Sequence, residues 1–477
     1  MKALEEADVS RNKVSSIRKY SLLSFIMFPA IAMLLGWGLR GFIGGGPYGA
    51  MIPGAMVMIA ICMLLDVPLL FAAIAVVFGT AGTAMGGEMT YGQTIGFLRD
   101  TDTVWWGFAG TSVKGGVWGL SSGLFIGLGL VYQRIKAKTI VTGFVIFLIG
   151  FVIGLKLIND PKIIYFSDPF NQPRSESWAG LLFASAGLLI YLKTKITAGD
   201  FRIILRFVLY GLLGGAFGFG FGSLWITVGS KYGARLLIID WWKMMEFSFG
   251  FLLGGFLGFA AWKCRNINAA TYPKVETKLS KSFFIELIAA LLIGTFIYAI
   301  MQLLESYLET INGHNGIFYA FVTTIGRVLT SYLFIGCILI LIALRWPYLG
   351  FQIAVTLTFC HCMIDLVTDD RLFPGLQSLP LLFITTIVPS FIVSVLVALF
   401  QRKPFVLRLM FLLLVWSTTA VAVIRMIAGG EFIFNSQHSL SQVIIGDLFV
   451  FNVFIISAIL VSVMVVKNKA SQVSEVM

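Results

Sequence analysis

Charge is scarce in this chain of 477 residues: Asp, Glu, Lys and Arg make up 12% of it, against 58% apolar residues. Ordinary soluble domains carry about 25% charged and about 45–50% apolar residues, so a soluble fold is excluded. Cysteine is scarce too. The five present, Cys62, Cys264, Cys337, Cys360 and Cys362, are an odd number, and four lie inside apolar runs, which excludes a disulfide framework. A phosphate-binding G-x-x-x-x-G-K-[ST] loop, a dinucleotide fingerprint, H-E-x-x-H and G-x-S-x-G are missing wherever they would act. No nucleotide-driven pump, cofactor or metal centre is therefore expected. The net charge of +12 comes from short scattered groups and not from one patch. That points away from nucleic acid and toward the anionic inner surface of membrane lipid.

What the chain has instead is apolar runs of membrane-crossing length. A helix crossing about 30 Å of hydrocarbon needs about 20 apolar residues. Runs begin near residues 20, 49, 67, 104, 139, 177, 203, 243, 283, 317, 350, 380, 405 and 443. The expected fold is an all-α polytopic integral membrane protein of about fourteen transmembrane helices. From a cytoplasmic N-terminus, with a change of side at each span, 23 of the 35 basic residues fall inside, and the groups YQRIKAK, KTKITAGDFR, QRKPF and KNK all land there. This is the positive-inside pattern, and it puts both termini in the cytoplasm of a cell (plasma or inner) membrane.

Glycine divides the chain, with 40 of its 50 residues at or before residue 264. In lipid, helices associate by close approach over small residues. The stretches Gly115–Gly129, Gly211–Gly222 and Phe249–Gly258 place glycine at four-residue spacing on one helix face. The reading is a glycine-rich eight-helix bundle over 1–264, a basic cytoplasmic linker over 265–282, and a six-helix bundle over 283–477. Asp102 before Trp105 and Trp106 is echoed by Asp240 before Trp241 and Trp242. In this topology the two units run the same way, as a parallel four-plus-four repeat.

Polar residues gather at the outer ends of the glycine-rich helices, in GWGLRGFIGGGPYG, GGEMTYGQTIGFLRDTD, NQPRSESW and KYGARLLIIDWWKMMEF. The first, with Gly44, Gly45, Gly46 and Pro47, can dip inward as a broken element if protein covers it. Lys114 lies eight residues beyond Trp106, roughly 12 Å inside its span at 1.5 Å per residue. Charge at that depth costs ~2.5–3.5 kcal/mol or more, so it pairs or faces water. Glu88 or Glu246 is the expected partner. Arg327 is expected about ten residues into the tenth span by the same spacing. Arg40, Glu88, Arg99, Lys114, Arg174 and Glu246 are the expected substrate-binding residues, converging on one cavity. His361 and Asp365, four apart on one helix face, suit a hydrogen-bonded pair or a proton relay. Cys360 and Cys362, two apart, point away from each other, which disfavours zinc.

Mixed-sign charge among many tryptophans suits a small polar solute such as a sugar, sugar acid or amino acid. The expected function is a secondary transporter, open to the outer face and coupled to a proton or sodium ion. The alternative is an integral membrane transferase acting on a lipid-linked substrate at the outer leaflet, with a carboxylate or His361 as general base. A structural subunit is the third reading. A closed polar cluster would favour it over transport.

Overall fold

The computed structural model describes residues 20–43, 45–171, 173–232, 239–267, 316–369, 378–403, 405–428 and 439–474, with isolated positions between 272 and 310. Among the described residues the structure is 85% helical, with no strand. Among the described residues, ten helices are long and apolar enough to cross a membrane, or eleven if one bent pair counts as a span. This is a multi-pass membrane protein. The span expected near 283 and most of the 265–282 linker lie outside the described residues, as do Gly44 and Arg235.

The N-terminal half contributes α1 (Leu22–Arg40), α2 (Gly46–Leu64), α3 (Leu69–Met85), α4 (Val104–Val131), α5 (Ala137–Gly154), α6 (Trp178–Lys195), α7 (Ala198–Tyr232) and α8 (Trp241–Lys263). Six of these close a ring in the order α1, α2, α3, α4, α7, α8 and back to α1, while α5 and α6 form a hairpin against the outside of α4. Glycine makes the ring tight. A β-carbon at Gly119 or Gly115 of α4 would collide with the carbonyl of Gly211 or Gly215 of α7, and each collision is reciprocal. Gly250 and Gly254 of α8 face Met33 and Pro29 of α1 in the same way. Backbone therefore lies on backbone, the contact that small residues permit in lipid.

Inside the ring the aromatic side chains interlock. Trp37 lies edge-on to Trp118 and Phe249, with ring centres 4.8 and 4.4 Å apart, and Phe219 stacks on Phe249 at 4.9 Å. The 28 residues of α4 make it about 42 Å long. Three of its neighbours are shorter. α3 ends beside Trp118, where a β-carbon at Gly86 would meet the indole, about 21 Å below the start of α4. From there the connection 86–103 climbs back along α4 in short helical turns, Gly86–Glu88, Gly92–Gly96 and Phe97–Arg99. Two connections are thus recessed into the bundle, this one and the α1–α2 turn. Asp240 caps α8 by accepting from Lys243 N at 2.9 Å, whereas Asp102 makes no such cap on α4.

The C-terminal half contributes α9 (Ile317–Thr330), α10 (Tyr332–Arg345), α11 (Thr358–Thr368), α12 (Leu379–Phe400), α13 (Val406–Ala428) and α14 (Phe449–Ser474). α9 and α10 are bent by 49° at Ser331. A wide π turn, Gln352–Leu357, leads into α11. Along the α11–α12 contact, Gln352 donates to Ser394 O at 3.1 Å and accepts from Ser394 Oγ at 2.9 Å and Thr356 Oγ1 at 2.5 Å. All three side chains are buried. α13 and α14 lie against α1, and α10 against α3, so the second half packs directly on the ring.

Candidate functional site

The α1–α2 turn, residues 41–48, is the point where charged side chains from both halves meet. The tight GFIGGGPYG segment has little side chain to fill space, so its neighbours come close to its backbone. Gly46 has φ +76°, a left-handed conformation that glycine permits. A β-carbon at Gly41 would overlap the Glu246 carboxylate, and one at Gly87 would approach Gly46 O to 2.5 Å.

Arg40 ends α1 and is 1% exposed. Its Nη1 donates to the Tyr91 hydroxyl and its Nη2 to Gly46 O at 3.3 Å. The guanidinium carbon lies 5.1 to 5.5 Å from the ring centres of Trp118, Trp37 and Tyr91. Glu246, one turn into α8, accepts from Trp242 Nε1 at 2.8 Å and from Lys243 Nζ at 2.7 Å. Lys243 also donates to Gly38 O at 3.0 Å and stands 3.6 Å from the centre of the Phe42 ring.

The second half closes the other side of the turn. Arg425 of α13 donates from Nε to Phe42 O at 3.0 Å and pairs with Asp369 at 3.2 Å. His361 Nε2 lies 3.0 Å from Asp365 Oδ2, the pair expected from their spacing. The Tyr48 ring centre is 5.2 Å from His361 and 5.4 Å from Tyr332. Glu88 accepts from the backbone N–H of Tyr332, at the bend between α9 and α10. A carboxylate there faces the free N–H groups and positive dipole end of α10.

Lys114 is paired as expected, but its partner is Glu176, at 2.6 Å, and not Glu88 or Glu246. The ammonium also donates to Thr90 O and Thr94 Oγ1, both at 2.8 Å. Glu176 accepts further from Phe166 N at 3.1 Å and Ser167 Oγ at 2.9 Å. The reason for the different partner is geometric. Glu88 is drawn to the α9–α10 bend and Glu246 to its own neighbour Lys243, while the α5–α6 connection folds Glu176 onto α4. Arg99 and Arg174 stand exposed at the rim, Arg174 reaching toward Gly92. Arg327 is half-exposed and lies 3.1 Å from Asp160, just beyond α5. Burial pushes the Asp160 carboxyl up, but hydrogen bonds from Lys156 and Arg327 outweigh it and hold the group below the usual carboxylate range.

Arg40, Glu88 and Glu246 therefore meet around one turn, with Lys114 one layer away. Tyr48, Tyr91, Tyr332, Asp369 and Arg425 join them, and the sequence reading had none of these five. Arg40, Lys114, Lys243 and Glu246 are sealed in this conformation, each 4% exposed or less, so a solute reaches them only after helices part. A water-sized cleft lies nearby between the two halves, lined by Leu39, Ile52, Thr358, Cys362 and Thr418. All five cysteines are free thiols. No group of three or more His, Cys, Asp or Glu among the described residues is placed to hold a metal ion. Comparison with protein-family models, curated proteins and solved structures gives no match to this chain.

Proposed function

We propose that the chain is a proton-coupled secondary transporter of a small polar organic solute such as a sugar, sugar acid or amino acid. Its site lies around the α1–α2 turn and opens to the outer face. In this reading the fold has fourteen spans with both termini in the cytoplasm of the cell membrane. The span near 283 supplies the crossing needed between α8 and α9, and the 23 basic residues on the inner side set the orientation. The glycine-rich ring is then the rigid body and the second half the moving one.

The sealed charges taken alone suit a packed scaffold. The observation that favours transport is the His361–Asp365 pair, held against Tyr48 beside Glu88, where α9 and α10 break. Histidine is the side chain whose ordinary titration falls in the physiological range. Interrupted helices at the junction of two bundles are where transporter folds place substrates and coupling ions, and the π turn before α11 is a second such interruption.

Uptake of labelled sugars, sugar acids and amino acids into proteoliposomes, with an imposed proton or sodium gradient, tests this. One solute class should accumulate under an inward proton gradient. His361→Gln should lose that accumulation while retaining solute exchange. Uptake driven by sodium alone would remove the assigned role of His361. Absence of any uptake would remove the transport reading and return attention to an outer-leaflet transferase or a scaffold.

A further inference from the structure

Around the α1–α2 turn the other cations are each bonded to a carboxylate: Lys243 to Glu246, Arg425 to Asp369, and Lys114 to Glu176 one layer out. Arg40 is different. Its two bonded acceptors, the Tyr91 hydroxyl and Gly46 O, are neutral, and its buried Nε has no hydrogen-bond partner. Both oxygens of Glu246, the carboxylate against Gly41, are engaged by Trp242 and Lys243, and Glu88, at the same turn, accepts from Tyr332 N. Arginine stays charged in proteins. Three aromatic faces compensate in part for its desolvation. No carboxylate is bonded to the guanidinium.

The way in is also marked. Gly45 is exposed and carries no side chain over the guanidinium; a β-carbon there would lie 3.6 Å from Nη2. Gly41, also exposed, lies on the other side, against Glu246. Once the helices part, a carboxylate arriving over Gly45 meets the Nε and Nη2 edge of the fork, where two parallel charge-assisted hydrogen bonds form in place of the long 3.3 Å contact to Gly46 O.

We infer that Arg40 is the recognition group for the carboxylate of an organic monoanion. This rests on the transport reading and narrows its substrate class to sugar acids and related hydroxy acids, ahead of neutral sugars. The same unbonded guanidinium edge would be met by an anionic lipid headgroup, and the test separates the two.

The experiment is calorimetric titration of the full chain in nanodiscs of phosphatidylcholine, with matched probes: gluconate against sorbitol, glucuronate against glucose, lactate against propane-1,2-diol, and inorganic phosphate. At least one carboxylate should bind, with its neutral twin weaker by about tenfold or more, as expected for loss of a hydrogen-bonded charge. Arg40→Met should abolish that binding and Arg40→Lys should keep part of it. Gly45→Val, which leaves the charge in place but fills the approach, should weaken binding with the melting temperature unchanged, so the result does not depend on whether Arg40→Met folds. Equal binding of the neutral twins, unaltered binding by Arg40→Met, or no carboxylate binding would overturn the inference. So would loss of all solute binding on adding phosphatidylglycerol, because the anion would then be lipid. If carboxylate binding passes every arm but no solute crosses proteoliposomes, the inference stands and the transport reading falls.

Discussion

Replacing Lys114 with Met keeps most of the side-chain volume and removes one charge from a site that is 1% exposed on both partners. At 2.6 Å the Coulomb attraction between Lys114 and Glu176 is about 6 kcal/mol with an effective dielectric of about 20. Desolvation of each ion opposes it by several kcal/mol, so the net worth of the pair is small. Removing one member is another matter. Glu176 keeps its bonds from Phe166 N and Ser167 Oγ but faces no cation, and breaking a buried pair in this way costs about 3–5 kcal/mol. Lys114→Met should lower unfolding free energy by that amount in a reversible detergent titration. Glu176→Leu should do likewise, and the double variant should lose far less than the two losses added together. Coupling within about 0.5 kcal/mol of zero would refute the pairing argument, because independent sites add to that accuracy.

Two neighbouring glycines of α4 should respond oppositely to the same change: Gly119→Ala drives a methyl into the Gly211 carbonyl, whereas at Gly116 the nearest atom is the Ala216 β-carbon at 3.4 Å. The first should cost about 1–3 kcal/mol and the second little, read as melting temperature in one detergent; equal effects would undo the backbone-contact account of the α4–α7 interface. Because the folded Asp160 carboxyl titrates below its unfolded value, its contribution is present above the unfolded pKa, about 3.9, and is lost as pH falls through the folded one. Asp160→Asn should therefore cost less than about 1 kcal/mol at pH 7 for this half-exposed network, and the difference from wild type should vanish in acid; a constant difference down to pH 2 would contradict the assignment. Single cysteines at positions 136 and 171 should be labelled from the inside and the outside respectively. The reverse pattern would invert the topology.

Much of the fold is legible in the sequence, because apolar run length and four-residue glycine spacing are local signals. The segments near 20, 104, 177 and 203 became α1, α4, α6 and α7, and Gly115 and Gly119 did mark a packing face. His361 and Asp365 were legible for the same reason, since a helix fixes the distance between residues four apart. Lys114 and Glu176 were each visible as charges, yet 62 residues separate them, and the fold of the α5–α6 connection that brings them together leaves no periodic trace. The aromatic box around Arg40 was hidden similarly, as Trp37, Tyr91 and Trp118 come from three separate segments. Gln352 and Thr356 opposite Ser394 had a readable spacing. A polar residue every fourth position in an apolar run is the signal that would have found that seam.

That seam also constrains how the protein is made. A membrane-inserting machine tests each apolar segment against lipid, and the stretch leading into α11 carries Gln352, Thr356, His361 and Asp365, a composition that lipid alone disfavours. The Gln352 amide donates to Ser394 O and accepts from Ser394 Oγ on α12, which is synthesised next. The two helices are therefore suited to leave the insertion channel together as a hairpin. A nascent chain ending before α12 should remain in contact with the channel until the following helix emerges, and crosslinking of stalled chains of increasing length would show whether release waits for Ser394.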